Sequence, residues 1–291
     1  MKRGRAVLLL HGLCCTAWEL HVVARILRDR GFHLATPTLP GYTATDGWRP
    51  TCFVDPDFRR WIAEAAAEVD RLAQDFAEVT ICGVGLGAVL ALGVAMETPA
   101  NLNALSLIST TLISDGRNAS RWRFLMPVAY YTPLGRLYRH RETAPYLVKN
   151  AGLRASVGEE LARGQPSSVG AFSVPIASLR EADRLIRHVK SGLGKVRTPT
   201  LMIHAREDDV ATLANVRFVQ KRIGTDHFGE VIVEDSYHRI TLDNDCELAG
   251  TKTAQFFDAE AKRRAEASHA MRQWACREER QRGDNPEAEP E

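Results

Sequence analysis

The chain has few cysteines, little net charge and no long apolar segment. Its six cysteines show no C-x-x-C spacing, which argues against a zinc site or a disulfide scaffold and indicates reduced thiols. The formal net charge of +2 offers no electrostatic basis for binding nucleic acid. No window approaches the roughly 20 apolar residues that a transmembrane helix needs. We therefore predict a cytoplasmic protein with no metal, no other cofactor, no nucleic-acid partner and no membrane span; the sequence predicts no particular oligomeric state.

The N-terminal stretch MKRGRAVLLLHGLCC imitates a secretion signal, because basic residues precede an apolar run. The run is only about as long as a strand, and it ends at His11 and Gly12 without a small-residue cleavage site. A buried β-strand is the better interpretation.

Apolar runs typical of buried strands alternate with helical patterns along most of the chain. Strict alternation of this kind implies right-handed crossovers and a parallel sheet that is covered on both faces. We therefore predict an α/β fold with a mostly parallel sheet and helices on both of its faces. The predicted strands lie in AVLLLHG, HLATPTLPG, EVTICGVG, ALSLIST, TPTLMIHA and GEVIVED.

The alternation breaks after Leu112 and returns after Lys195. Residues 113–195 are rich in Arg, Tyr and Pro, and we can predict only helices there. We predict that residues 1–112 and 196–262 form the core and that 113–195 are a helical lid, inserted over the carboxyl ends of the strands, where ligands bind in such sheets. Residues 263–291 are predicted to be a charged tail whose end, from about Arg282, is disordered.

The stretch ICGVGLGAVLAL has the pattern of a strand, a tight turn and a helix. Its G-V-G-L-G segment, from Gly83 to Gly87, has the spacing of the G-x-S-x-G turn that carries a nucleophilic serine. The middle position here is Gly85. The outer glycines suit a turn in which strand and helix lie close together.

An acid and a histidine follow later strands, in the chain order that such a site needs. The acid lies in HAREDDV, with Asp208 preferred and Asp209 as the second choice; the histidine is His238 in EDSYHRITLD. Because both segments follow strands, we predict that Asp208 and His238 are hydrogen-bonded, with His238 facing the gap above Gly85. The simpler alternatives are that Asp208 is a helix N-cap and that His238 is an ordinary loop histidine.

These motifs resemble the α/β-hydrolase superfamily, and within it the bacterial carboxylesterase and monoacylglycerol lipase branch. HGLCCTAWEL is similar to the first loop of that branch, PTLPGY to its P-x-L-P-G-H turn with Tyr42 in place of histidine, and REDDV and SYHRITLD to its acid and histidine motifs. The resemblance spans residues 5 to about 257. It implies an α/β-hydrolase fold, an ester, thioester or lipid-like acyl ligand, and an oxyanion hole formed by the backbone N–H groups of Leu13 and Leu86.

Aromatic residues near these motifs are candidates for an acyl pocket, although runs of aromatic residues more often belong to a core than to a binding surface. Trp18 and Tyr42 are the two that we predict to bind substrate. The same two interpretations apply to Trp122, Phe124, Tyr130 and Tyr131.

The departure from the resemblance is Gly85, which stands where the family has its serine nucleophile. One interpretation is a protein that binds an acyl compound without covalent hydrolysis and retains at most base chemistry by His238 and Asp208. Others are a non-catalytic binding or regulatory protein, an engineered serine-to-glycine form of an active carboxylesterase, and a substitute cysteine nucleophile. The candidate cysteines are Cys14, Cys15 and Cys82.

Overall fold

The structure, a computed structural model, describes most of the chain. The described residues are 3–45, 49–50, 56–97, 101–117, 130, 132, 139–141, 145–162 and 173–283. The strands are β1 (Arg3–Leu10), β2 (Phe32–Ala35), β3 (Ala44–Thr45), β4 (Arg49–Pro50), β5 (Phe76–Val84), β6 (Ala104–Ile108), β7 (Arg139–Arg141), β8 (Ser173–Pro175), β9 (Thr200–Ala205) and β10 (Phe228–Val233). The helices are α1 (His21–Asp29), α2 (Phe58–Asp75), α3 (Leu86–Glu97), α4 (Ala151–Ala162), α5 (Ile176–Gly192), α6 (Ala214–Gln220) and α7 (Cys246–Gly283), with short 3₁₀ helices at Ala17–Leu20 and Leu193–Lys195.

Six of the strands form one parallel sheet in the order β10-β9-β6-β5-β1-β2. Leu8 of β1 pairs with Ile81 of β5, and Cys82 of β5 pairs with Ser106 of β6. The predicted parallel sheet is confirmed. Because all six strands run the same way, the turns that follow them meet at one edge of the sheet.

Side chains of the central strands alternate between two cores. Leu8 and Leu10 of β1 belong to the cluster that also holds buried residues of α2, α3, α5 and α6. Val7 and Leu9 point to the other face, where they share a cluster with residues of α1 and α7. Helices therefore cover both faces of the sheet, as predicted.

The region predicted to be an insertion contains two kinds of structure. Its helix α5 packs against α2 and α3, and Leu185 and Val189 of α5 are completely buried in the core. A short antiparallel pair, β7 with β8, also lies in this region, where we predicted only helices. The division at residues 113 and 195 stays a prediction, and the packing of α5 associates that helix with the core layer.

Helix α7 extends past residue 262, the predicted end of the core. It continues to Gly283, so the predicted tail begins as helix; residues 284–291 lie outside the described part. Side chains 262–274 are all exposed, including Met271 and Trp274. Within the described ranges, no helix is both long enough and apolar enough to cross a membrane.

Candidate active site

The turn between β5 and α3 has glycine at the two positions where neighbouring backbone lies too close for a side chain. A Cβ on Gly87 would lie 2.1 Å from the carbonyl oxygen of Leu10, and one on Gly83 would lie 2.5 Å from the carbonyl oxygen of Gly87. Real Cβ atoms do not come so close to backbone, so only glycine fits at either position.

Gly85, at the centre of the same turn, has room for a side chain. Its φ is +57°, and its backbone N–H donates to the carbonyl of Ile108 at 2.9 Å. Among the described residues other than its chain neighbours, an ideal Cβ at Gly85 has one neighbour within 4 Å, the Nε2 atom of His238 at 3.7 Å. The turn therefore directs position 85 at His238.

Asp208 and His238 are hydrogen-bonded. Nδ1 of His238 lies 2.8 Å from Oδ2 and 3.0 Å from Oδ1 of Asp208. The Asp208 side chain is fully buried, and that of His238 is 13% exposed. The predicted contact is present, with Asp208 rather than Asp209 as the partner of the ring. Asp209 is buried beside the pair.

The Asp208 carboxylate also stabilises the turn that follows it. Its Oδ1 accepts hydrogen bonds from the backbone N–H groups of Val210 and Ala211 at 2.9 and 2.8 Å. It caps this turn and not helix α6, which begins at Ala214. The presence of Asp208 alone is thus no sign of catalysis, because the turn needs it in any case.

The charges of the pair stabilise each other. Burial by itself would lower the pKa of His238, but the charge and hydrogen bond of Asp208 raise it, and the net pKa lies above the ordinary value. Burial would raise the pKa of Asp208, and His238 lowers it, with a net decrease. A third buried group, His204, lies 3.4 Å from Asp208, and burial lowers its pKa. Asp208 is therefore ionised at neutral pH and orients the His238 ring.

Of the two predicted oxyanion donors, Leu86 lies in the turn itself and Leu13 lies in the loop after β1. Leu86 is the first residue of α3, where backbone N–H groups have no partner within the helix. The neighbours of Leu13 are engaged: the Gly12 N–H donates to Oε2 of Glu19 at 2.6 Å and the Cys14 N–H to the carbonyl of Tyr42 at 2.8 Å. Among the described residues, no acceptor pairs with the N–H of Leu13. Their role in binding an oxyanion stays a prediction.

A buried ion pair that the sequence did not predict connects two of the site loops. The guanidinium of Arg239 lies 3.4 Å from the Glu19 carboxylate, which also accepts from Gly12. Both side chains are nearly inaccessible. Arg239 follows His238 directly, so this pair joins the Gly12 turn to the histidine loop. Glu19 and Arg239 are 220 positions apart in the chain, and no local sequence pattern predicts a contact between them.

The predicted substrate residues differ in position. Tyr42 is 1% exposed, its hydroxyl donates to the carbonyl of His11 at 2.8 Å, and its ring packs on Trp61. Tyr42 thus supports the loop from within the core, and its binding role stays a prediction. Trp18 is 44% exposed and stacks on His21, and its binding role stays a prediction. Three of the other aromatic candidates, Trp122, Phe124 and Tyr131, lie outside the described residues.

A hydroxyl that we did not predict also contacts the histidine. Oγ1 of Thr111 lies 3.4 Å from Nε2 of His238. Thr111 follows β6, the strand beside β5, and this placement at the shared sheet edge was the one available signal. Across the part of the chain that the structure covers, no group of three or more His, Cys, Asp or Glu side chains is arranged to hold a metal ion.

A parallel sheet with the β5–α3 turn, an acid and a histidine at the carboxyl ends of its strands is an α/β-hydrolase fold. A structure of a metagenome-derived lipolytic enzyme superposes with a TM-score of 0.72 at 20% identity, covering 89% of this chain and 96% of the other. The chain belongs to the family described as serine aminopeptidase, S33, whose model matches residues 2–245.

Two curated relatives agree with the branch that the motifs resemble. The thermostable monoacylglycerol lipase of Bacillus sp. strain H-257 is 23% identical over 255 residues, which cover 86% of this chain and 89% of the lipase. The carboxylesterase of Bacillus subtilis strain 168 is 20% identical over 265 residues, which cover 87% and 92%. The resemblance to the carboxylesterase and monoacylglycerol lipase branch is confirmed.

Proposed function

We propose that this protein binds an ester, thioester or lipid-like acyl compound above Gly85 and acts on it without forming an acyl-enzyme. The observation that carries the proposal is the position of His238, whose Nε2 faces the Cβ site of a residue that has no side chain. The relatives named as a lipase and a carboxylesterase support an ester as the ligand class. A cytoplasmic location remains part of the proposal.

The base chemistry that this geometry supports uses water in place of serine. His238, oriented by Asp208, takes a proton from water at Nε2 while the water oxygen forms a bond to the carbonyl carbon. The carbonyl oxygen becomes an oxyanion, which the N–H groups of Leu13 and Leu86 bind. The bond to the leaving oxygen or sulfur then breaks, and His238 returns the proton to that atom. Catalysis of about 10³–10⁴-fold over water is typical of serine hydrolase sites that have lost a triad member.

A non-catalytic binding protein is the second candidate, and the missing side chain of Gly85 favours it. Asp208 does not separate the two functions, because it caps the turn at Val210 and Ala211 in either case. The His238 ring is hydrogen-bonded to Asp208 and lies near the Thr111 hydroxyl, so replacing His238 distinguishes the candidates.

The His238→Ala variant is expected to lower hydrolysis of short activated esters about 100-fold, since a positioned general base contributes at least that much. In the unmodified chain the rate should rise with pH, because only the neutral ring accepts a proton. The midpoint should lie above the ordinary histidine value of about 6.5, because Asp208 stabilises the protonated ring. Initial rates across pH measure both effects.

The matched control is His269→Ala, which removes an exposed histidine of α7 and should leave the rate unchanged. Equal rates for His238→Ala and the unmodified chain would contradict the base chemistry and favour the binding protein.

A fluorophosphonate probe is expected to leave the chain unlabelled. Such probes need an activated oxygen or sulfur nucleophile, and Gly85 has none. Burial raises the pKa of Cys82 to about 12, and Cys14 and Cys15 are also buried. Intact mass measures the outcome, with the Gly85→Ser variant as the positive control. A stoichiometric adduct mapped to a cysteine would instead establish a substitute nucleophile.

A further inference from the structure

The loop after β6 lies against the Gly85 turn. The Gly85 N–H donates to the carbonyl of Ile108, the last residue of β6. The chain then turns through Ser109, whose φ is +50°, an uncommon conformation for a residue other than glycine. This turn brings the side chain of Thr111 to His238, with 3.4 Å between Oγ1 and Nε2.

In the contact between Thr111 and His238, neither of the two facing atoms, Oγ1 and Nε2, has a hydrogen to donate to the other. Asp208 is ionised and can only accept, so Nδ1 of His238 carries the hydrogen of the neutral ring and Nε2 has a free lone pair. The single hydrogen of the Thr111 hydroxyl is donated to the carbonyl of Ser109 at 3.1 Å. Oγ1 of Thr111 and Nε2 of His238 are then both acceptors. A molecule with two O–H donors, which is water, satisfies both.

We propose that Thr111 and His238 together hold the hydrolytic water above Gly85. The inference rests on the proposed function and adds a positioning residue to it. The water donates one hydrogen to Oγ1 of Thr111 and the other to Nε2 of His238, and its oxygen faces the space at position 85. When it attacks the carbonyl carbon, its proton passes to Nε2. Thr111 keeps its own hydrogen and forms no covalent bond.

Thr110 provides a matched comparison. Its side chain is completely buried, whereas that of Thr111 is partly buried, and its hydroxyl has no hydrogen-bond partner among the described residues. Removing that hydroxyl changes the same loop by the same atoms but leaves the contact with His238 intact.

The test compares Thr111→Val, Thr111→Ser and Thr110→Val in the full chain, with p-nitrophenyl acetate as the probe. Thr111→Val is expected to lower kcat about tenfold with little change in KM, the effect of one hydrogen bond to the attacking water. Thr111→Ser should restore most of the rate, because it restores the acceptor. Thr110→Val should match the unmodified chain. A structural role for Thr111 would not produce this split between kcat and KM together with rescue by serine.

Three results would overturn the inference, and they are distinguishable. If Thr111→Val keeps the full rate while His238→Ala loses it, Thr111 holds no water and the proposed function stands. If the unmodified chain is no faster than buffer, or if His238→Ala is as fast as the unmodified chain, the proposed hydrolysis fails and the inference falls with it. If peptide mapping by mass spectrometry finds an acetyl group on Thr111, the hydroxyl is itself the nucleophile.

Discussion

A Gly85→Ser variant is expected to hydrolyse short activated esters at least about 100-fold faster than the unmodified chain. Loss of the serine from a working triad costs on the order of a million-fold, which sets the upper bound of the gain. The new Cβ would lie 3.7 Å from Nε2 of His238, so the hydroxyl it carries comes within hydrogen-bond reach of the base. Asp208 already orients that base. Initial rates on a panel of ester lengths measure the gain.

Two variants separate the hydroxyl from the strain it brings. Position 85 has a φ of +57°, so serine there is expected to cost about 1–3 kcal/mol of stability. Gly85→Ala has the same strain and no nucleophile, and it should show no gain. Gly85→Ser combined with His238→Ala should lose the gain entirely. A folded Gly85→Ser variant that stays at background on every ester would mean that the predicted oxyanion donors or the predicted lid do not suit acyl transfer.

Gly87→Ala is expected to destabilise the protein by about 3 kcal/mol or more, the upper range for forcing atoms into a packed interior. Its Cβ would meet the carbonyl oxygens of Leu10 and His11 at 2.1 and 2.5 Å, and backbone of a central strand cannot move aside cheaply. Urea unfolding followed by tryptophan fluorescence measures the change.

The matched control is Gly4→Ala in β1, because a Cβ there has nothing within 4 Å among the described residues. We expect a change below about 1 kcal/mol. If Gly87→Ala unfolds at the same urea concentration as Gly4→Ala, strand β1 and helix α3 are further apart than the structure places them.

The sheet could be predicted from sequence because each of its strands has a recognisable local sequence pattern. A parallel strand buried on both faces has a continuous apolar run, as in the segments that contain Leu8 and Ile81. The meeting of Asp208 and His238 also follows from sequence, since both come after strands whose carboxyl ends share one edge. Two features could not be predicted, the packing of α5 against α2 and α3 and the extension of α7 to Gly283. Both depend on more than the local sequence pattern.

The rest of the site depends on loop conformation, which no local pattern encodes. The approach of Thr111 to His238 requires the turn at Ser109, and serine does not signal a positive φ. The pair of Glu19 and Arg239 requires two loops to be folded against each other. An aromatic residue such as Tyr42 is typical of both a pocket and a core, and its burial depends on how its loop packs in the folded chain.

We expect the backbone N–H groups of helix α7 to exchange slowly in its first part and quickly in its last part. Its first part packs on α1, and Phe257 is buried there, so its backbone N–H groups open only when the core opens. Beyond Glu260 the side chains of residues 262–274 are exposed, and that part of the helix depends on its own hydrogen bonds. An isolated helical segment is marginal in water. We therefore expect exchange protection to fall steeply near residue 260 without any break in the helix, and a protease to reach the outer part while the sheet remains folded.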